Sequence, residues 1–157
     1  MTWKGIMTAL ITPVNEDGTV NEKQLRKVIQ FQLKNDVHSI LVLGGTGEYL
    51  ALKQEERERV IDIAVDEING KIPVVAGLLA PGLNDNIAMG EYVKKAGVDA
   101  YMAITPYYLS VTQQGFIDFY TSLDQAIDMP VLLYNYPAKT NSNIKPETVE
   151  KLVKQVP

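Results

Sequence analysis

Short apolar runs alternate along this chain with longer segments whose apolar residues recur at helical spacing. The short runs, Gly5 to Ile11, Ser39 to Leu43, Ile72 to Ala76, Ala100 to Ile104 and Val131 to Tyr134, read as buried strands. Between the first two, Leu25, Val28, Ile29 and Leu33 form one stripe of a helix predicted from Asn21 to Asn35, with Asn21 as its N-cap. Val60, Ile61, Ala64, Val65 and Ile68 form the next stripe, on a helix from Lys53 to Ile68 that Asn69-Gly70 stops. Three more helices are predicted: Asn84 to Ala96, ended by Gly97; Thr112 to Ile127; and Lys145 to Val156, with Pro146 in its first turn.

Five strand-then-helix units of about 30 residues each imply right-handed crossovers and a parallel sheet buried on both faces. Two α/β architectures use that unit. A doubly wound, flavodoxin-like sheet has five strands and binds ligands at its topological switch point. A (β/α)8 TIM barrel needs eight units and typically about 250 residues. Polar and glycine residues follow every strand here, at Thr12, Gly44 to Glu48, Gly77, Thr105 to Tyr108 and Tyr134-Asn135. A switch point uses two or three strand ends, so this pattern favours the barrel. On that reading residues 1–157 form the N-terminal part of a single (β/α) barrel domain, covering about the first five βα units, with strands six to eight and the C-terminal helices absent. Strands one and five would then be open edges that invite pairing with another chain.

Composition narrows the function. A net charge of −4 with scattered Lys and Arg gives no basic footprint for nucleic acid or an anionic membrane. No apolar stretch approaches a membrane span, and Met1 to Gly5 lack a leader's apolar run, so a cytoplasmic protein is expected. Cysteine is absent and histidine occurs once, which removes thiol chemistry and Cys/His zinc sites. His38 directly precedes a strand, the wrong end for catalysis on a parallel sheet, so its role is read as structural.

The most informative segment is Leu43-Gly44-Gly45-Thr46-Gly47-Glu48-Tyr49, where strand two gives way to the second helix. Three glycines in four positions remove Cβ atoms and let peptide N–H groups face a ligand oxygen, and Thr46 adds a hydroxyl. The segment reads as an oxoanion or carboxylate site, or as a tight turn whose glycines satisfy geometry alone. It matches neither the dinucleotide nor the nucleoside triphosphate fingerprint.

Gly5 to Pro13 with Asp17-Gly18, then Gly44 to Glu48, then Thr105-Pro106-Tyr107-Tyr108, then Tyr134-Asn135-Tyr136-Pro137-Ala138-Lys139-Thr140 resemble, in order, the motifs of the dihydrodipicolinate synthase and N-acetylneuraminate lyase family. The resemblance implies a (β/α)8 barrel that joins a lysine to pyruvate or another 2-keto acid as a Schiff base, then makes or breaks a carbon–carbon bond. It implies a keto acid plus an aldehyde as partners, no cofactor or metal, and a homo-oligomer. By position, Tyr134 matches the proton-shuttling tyrosine, and Thr46 matches the residue that holds the keto acid's carboxylate with its neighbouring N–H groups. The two are expected to line one pocket. Tyr108 resembles the tyrosine that reaches into a neighbouring subunit and completes a hydroxyl relay, whereas Tyr107 reads as a packing aromatic. Lys139 stands where the synthases usually carry an arginine for the second substrate's carboxylate, keeping the charge and losing the bidentate fork.

The chain departs from the synthase pattern in two places. Gly45 replaces a relay threonine, which loosens the substrate toward 2-keto-3-deoxy sugar acids or sialic acid. The family's Schiff-base lysine lies at the end of strand six, beyond Pro157. Of the lysines present, only Lys139 follows a strand end, in a segment read as a loop with Asn141 and Asn143. A Schiff-base amine must be neutral to attack, which requires burial or a cationic neighbour. The chain alone is therefore expected to be inactive, and two alternatives stay open: an inactive fragment that binds keto acid, or one that only self-associates.

Overall fold

The computed structural model describes residues 3–156; Met1 and Thr2, part of the segment read for leader character, and Pro157 lie outside them. Five parallel strands, β1 (Met7–Ala9), β2 (Ser39–Val42), β3 (Val74–Leu78), β4 (Ala100–Ile104) and β5 (Val131–Tyr134), pair in the order β1-β2-β3-β4-β5. A flavodoxin-like sheet would run 2-1-3-4-5. Consecutive pairing is instead the order of a barrel wall, and the chain is half of one. Helices α1 (Glu22–Lys34), α2 (Gln54–Ile68), α3 (Leu83–Ala96), α4 (Gln113–Ile127) and α6 (Pro146–Gln155) follow the successive strands, with a short α5 (Pro137–Thr140) before the last.

The caps explain where most of these helices start and stop. The Asn21 side chain accepts the Gln24 N–H at the start of α1, and Thr112 accepts the Gly115 N–H at the start of α4. Asn69 and Gly97 close α2 and α3 in the left-handed region. None of the described helices is long and apolar enough to cross a membrane.

Residues paired in register share a face of the sheet. Leu41 with Val75, Gly77 with Met102, and Ile104 with Tyr134 therefore place Leu41, Val75, Gly77, Met102, Ile104 and Tyr134 on one face. Tyr101 and Ala103 belong to the other face, where the Tyr120 hydroxyl of α4 donates to the Ala103 carbonyl at 3.0 Å. The three middle strands are buried throughout, whereas β5 is half-buried and Met7 of β1 is 37% exposed. Both outer strands have one partner each. A groove of about 630 Å³ runs between Trp3, Met7, Val131 and Leu132 on the sheet side and Val149 and Val153 on α6.

Three strands differ in extent from the sequence reading, and two short elements add to it. β1 is shorter than Gly5 to Ile11. β3 lies two residues further along than Ile72 to Ala76, so Gly77 is inside the strand and not beyond its end. β2 stops before Leu43 because Leu43 is left-handed, with φ of 59°. That conformation directs the Leu43 carbonyl oxygen across β3 to Gly77, where an added Cβ would stand 2.2 Å from it. The 3₁₀ turn Tyr49–Ala51 and helix α5 are the unforeseen elements. α5 carries Lys139, so that lysine lies on a helical turn and not in a loop. His38 accepts the Ile6 N–H through Nδ1 at 3.2 Å and its ring fills the space beside Gly5, in keeping with a structural role.

Two stability predictions follow from this packing. Gly77→Ala forces the Leu43 carbonyl away and should cost about 1–3 kcal/mol in urea unfolding, the range for overpacking; wild-type stability in that variant would contradict the contact. Burial holds the Tyr101 and Tyr120 phenols above the ordinary value of 10.0. The folded chain thus keeps protons that the unfolded chain releases, so stability is full below about pH 10 and falls as pH rises beyond it. Tyr101→Phe, which removes a buried hydroxyl without a partner, should leave neutral-pH stability unchanged or higher, whereas Tyr120→Phe should cost about 1 kcal/mol. An alkaline fall just as steep in the double variant would show that other groups cause it.

Candidate functional site

The C-terminal ends of β2, β4 and β5 converge on a cavity of about 340 Å³ whose walls include Gly45, Ile104, Tyr107, Tyr134, Tyr136 and Lys139. Three of the residues singled out from the sequence, Gly45, Tyr134 and Lys139, therefore meet in one place. Each arrives by a different local route. Tyr134 is the last residue of β5, paired with Ile104, so the ladder aims both at the same face. Lys139 follows on α5, which Pro137 opens at its first turn. Gly45 is delivered by the turn that leaves β2.

That turn is held from three sides. The Gly47 N–H donates to the Gly44 carbonyl at 3.1 Å and the Glu48 N–H to the Gly45 carbonyl at 3.2 Å, closing it on itself. The Thr12 hydroxyl donates to the Gly47 carbonyl at 2.7 Å, tying it to the end of β1. The Leu43 carbonyl over Gly77 ties it to β3. Among the described residues the Gly45 and Thr46 N–H groups donate to no protein acceptor. Two uncommitted donors in a turn with no side chain at Gly45 are the ingredients of a carboxylate site.

Tyr134 is half-buried, and its ring centroid lies 5.8 Å from that of Tyr136. Burial, and secondarily the neighbouring Tyr136 phenol, push the Tyr134 hydroxyl above its ordinary range, so it is a neutral donor and acceptor at neutral pH. Neither its hydroxyl nor the Lys139 Nζ has a hydrogen-bond partner among the described residues. Lys139 is exposed at the cavity's rim.

Thr46 and Tyr108 do not line this cavity. Thr46 is exposed on the turn while Gly45 takes the wall, so the expectation that Tyr134 and Thr46 share a pocket through their side chains is corrected: the backbone at Gly45 is what reaches in. Tyr108 is 95% exposed, in the left-handed region at φ 75°, and is not part of its own chain's cavity wall. Tyr107, read as a packing aromatic, does line the cavity, and its hydroxyl is committed to the Leu79 carbonyl at 3.0 Å. Tyr136, which also lines the cavity, is not singled out by the sequence reading; its position two residues beyond Tyr134, just past a strand end, is the available signal.

Over residues 2–157 the sequence matches the Dihydrodipicolinate synthetase family. A 4-hydroxy-tetrahydrodipicolinate synthase from Methanothermobacter thermautotrophicus is 40% identical over 151 residues, covering 96% of this chain and 53% of the relative. The crystal structure of a chloride-inhibited dihydrodipicolinate synthase from Acinetobacter baumannii, complexed with pyruvate, matches with a TM-score of 0.95 at 32% identity, covering 98% of this chain and 53% of that one. A prophage protein of the dihydrodipicolinic acid synthase family from E. coli K12, also in complex with pyruvate, matches with a TM-score of 0.94 at 27% identity, covering 98% and 52%. The chain spans about half the length of the curated relatives it matches. With five consecutive parallel strands that align with the first five βα units of these TIM barrels, the chain belongs to the dihydrodipicolinate synthetase family.

Proposed function

We propose that this chain supplies the keto-acid-binding half of a lyase or synthase that makes or breaks a carbon–carbon bond through a lysine Schiff base with pyruvate or a related 2-keto acid. The observation that carries the reading is the convergence of Gly45, Tyr134 and Lys139 on one cavity at the strand ends. Two relatives whose structures hold pyruvate share this fold closely, which supports a keto acid as the ligand.

In this reading the glycine turn holds the keto acid's carboxylate through the Gly45 N–H, where its backbone lines the cavity, with the Thr46 N–H next to it on the same turn. Tyr134 gives a proton to the carbonyl oxygen as the amine adds and takes part in proton transfer to the aldehyde oxygen; a phenol held neutral can donate, and the half-buried site strengthens its hydrogen bonds. Lys139, which forms no ion pair among the described residues, meets the carboxylate of the second substrate. Gly45 brings no hydroxyl, so proton relay runs through Tyr134 without a threonine beside it. Tyr108, extended from the surface, suits completion of a neighbouring subunit's site in a homo-oligomer. The amine that forms the Schiff base is assigned to a residue outside this chain, because Lys139, the lysine that lines the cavity, sits exposed at its rim.

Borohydride trapping with pyruvate, read by intact mass, tests the division of labour. The chain alone should yield no adduct and no turnover. Adding a polypeptide that carries the relatives' remaining βα units should yield an adduct on that polypeptide together with activity. Tyr134→Phe should then lower turnover by about 10² to 10⁴, the usual worth of general acid–base assistance. An adduct on this chain, abolished by Lys139→Ala, would make Lys139 the nucleophile and overturn the assignment.

A further inference from the structure

The direction of the two uncommitted N–H groups in the glycine turn is set from another strand's exit. A trans peptide is planar, so an N–H points opposite to the carbonyl of the residue before it, and fixing one fixes the other. The Gly45 N–H shares its plane with the Gly44 carbonyl, which accepts the Gly47 N–H at 3.1 Å. The Thr46 N–H shares its plane with the Gly45 carbonyl, which accepts the Glu48 N–H at 3.2 Å. That Glu48 N–H lies in one plane with the Gly47 carbonyl, and this carbonyl accepts the Thr12 hydroxyl at 2.7 Å. Gly47 is therefore the hub: the peptides on its two sides hold the carbonyls behind both open donors, and Thr12 holds Gly47.

The two bonds inside the turn are long for N–H donors and fix its shape, whereas the Thr12 bond has the usual length for a hydroxyl donor and refers that shape to the sheet. Its footing is firm, since the Leu10 N–H just before it donates to the Leu41 carbonyl of β2 at 2.9 Å. Gly47 seats against the same exit: a Cβ there would stand 3.1 Å from the Leu10 carbonyl oxygen and press the peptide off Thr12. Glu48, at φ 55°, is in the left-handed region that a residue with a side chain avoids, so the turn gains from being held at this point. Hydrogen bonds in series also polarise one another, which strengthens the last donor in the row. Thr12 itself is not part of the cavity wall. We infer that Thr12 is a positioning residue of the anion site: without touching the ligand, its hydroxyl aims the Gly45 and Thr46 N–H groups through Gly47. The inference rests on the keto-acid reading above for the identity of the anion.

Titration of the chain with pyruvate, compared among wild type, Thr12→Val and Thr12→Ser, tests it alongside amide hydrogen exchange in the free proteins. Thr12→Val keeps the shape and removes the donor, and should raise the pyruvate dissociation constant about three- to tenfold, the usual worth of one hydrogen bond. Thr12→Ser keeps the donor and should stay within about twofold of wild type. Without ligand, the Gly47 and Glu48 N–H groups should exchange faster in Thr12→Val by a similar factor while the amides of β3 and β4 keep their protection; a residue that only stabilises the fold would lower both. Should Thr12→Val lose the fold, Thr12→Ala removes the same hydroxyl and gives the same comparison. Pyruvate held equally by wild type and the hydroxyl-free variant, or weakened as much by Thr12→Ser, would overturn the inference and leave the keto-acid reading intact. Absence of saturable binding by wild type would overturn the keto-acid reading, and unchanged Gly47 and Glu48 exchange would then overturn the role of Thr12 in the turn as well.

Discussion

The glycine turn depends on one contact, the carbonyl of Leu43 lying over Gly77. Leu43 is in the left-handed region, a conformation that costs a non-glycine residue about 1–2 kcal/mol. Its side chain is fully buried, which contributes about 1.5–3 kcal/mol and outweighs that cost. The reversal at Leu43 ends β2 and turns the chain so that Gly45 faces the cavity. It works only because β3 has no Cβ at position 77. With the turn set, the Thr12 bond to Gly47 draws in the end of β1. The consecutive strand order then carries β4 and β5, and with them Tyr134, around to the same side.

Much of this was legible in the residues. The apolar runs of β2, β4 and β5 and the stripes of α1 and α2 repeat at periods that leave little choice of element, and the caps Asn21, Thr112, Asn69 and Gly97 sit where the helices begin and end. Polar residues and glycines after four of the five strands anticipated the barrel order over the doubly wound one, although the marker read for the third, Gly77, lies inside β3. What failed was non-local. β3 reads two residues early because Gly77 looks like a strand terminator; it is a strand residue whose missing side chain makes room for the Leu43 carbonyl beyond β2, a reason invisible within its own segment. Leu43 reads as part of β2 because nothing in a leucine announces a left-handed backbone. Helix α5 is a single turn, too short to show a period. In the site, residue type pointed to Gly45, Tyr134 and Lys139, but it gave no means of telling that Thr46 stands outside the cavity or that Tyr136 turns into it.

The half-barrel has a physical consequence of its own. β2, β3 and β4 are covered on both faces, while β1 and β5 each keep one unpaired edge, and Trp3, Ile6 and Met7 leave apolar surface beside the groove at α6. Residues whose side chains face the axis of the curl, such as Met7 and Tyr134, are more exposed than those beneath the helices, such as Tyr101 and Ile40. The cavity is thus a wall with one open side, its amide donors and the Tyr134 phenol set to orient a small anion. On the proposed function, the chain's own residues hold, orient and exchange protons with a keto acid.

Whether they do so at this place is read most directly by amide chemical-shift mapping of the ¹⁵N-labelled chain during titration with pyruvate. The account predicts perturbations at Gly44 to Glu48 and Tyr134 to Thr140, saturating together with a single affinity, and none at the opposite ends of the strands. Shifts confined to Trp3, Met7 and Val131, around the groove at α6, or no saturable shifts at all, would contradict it.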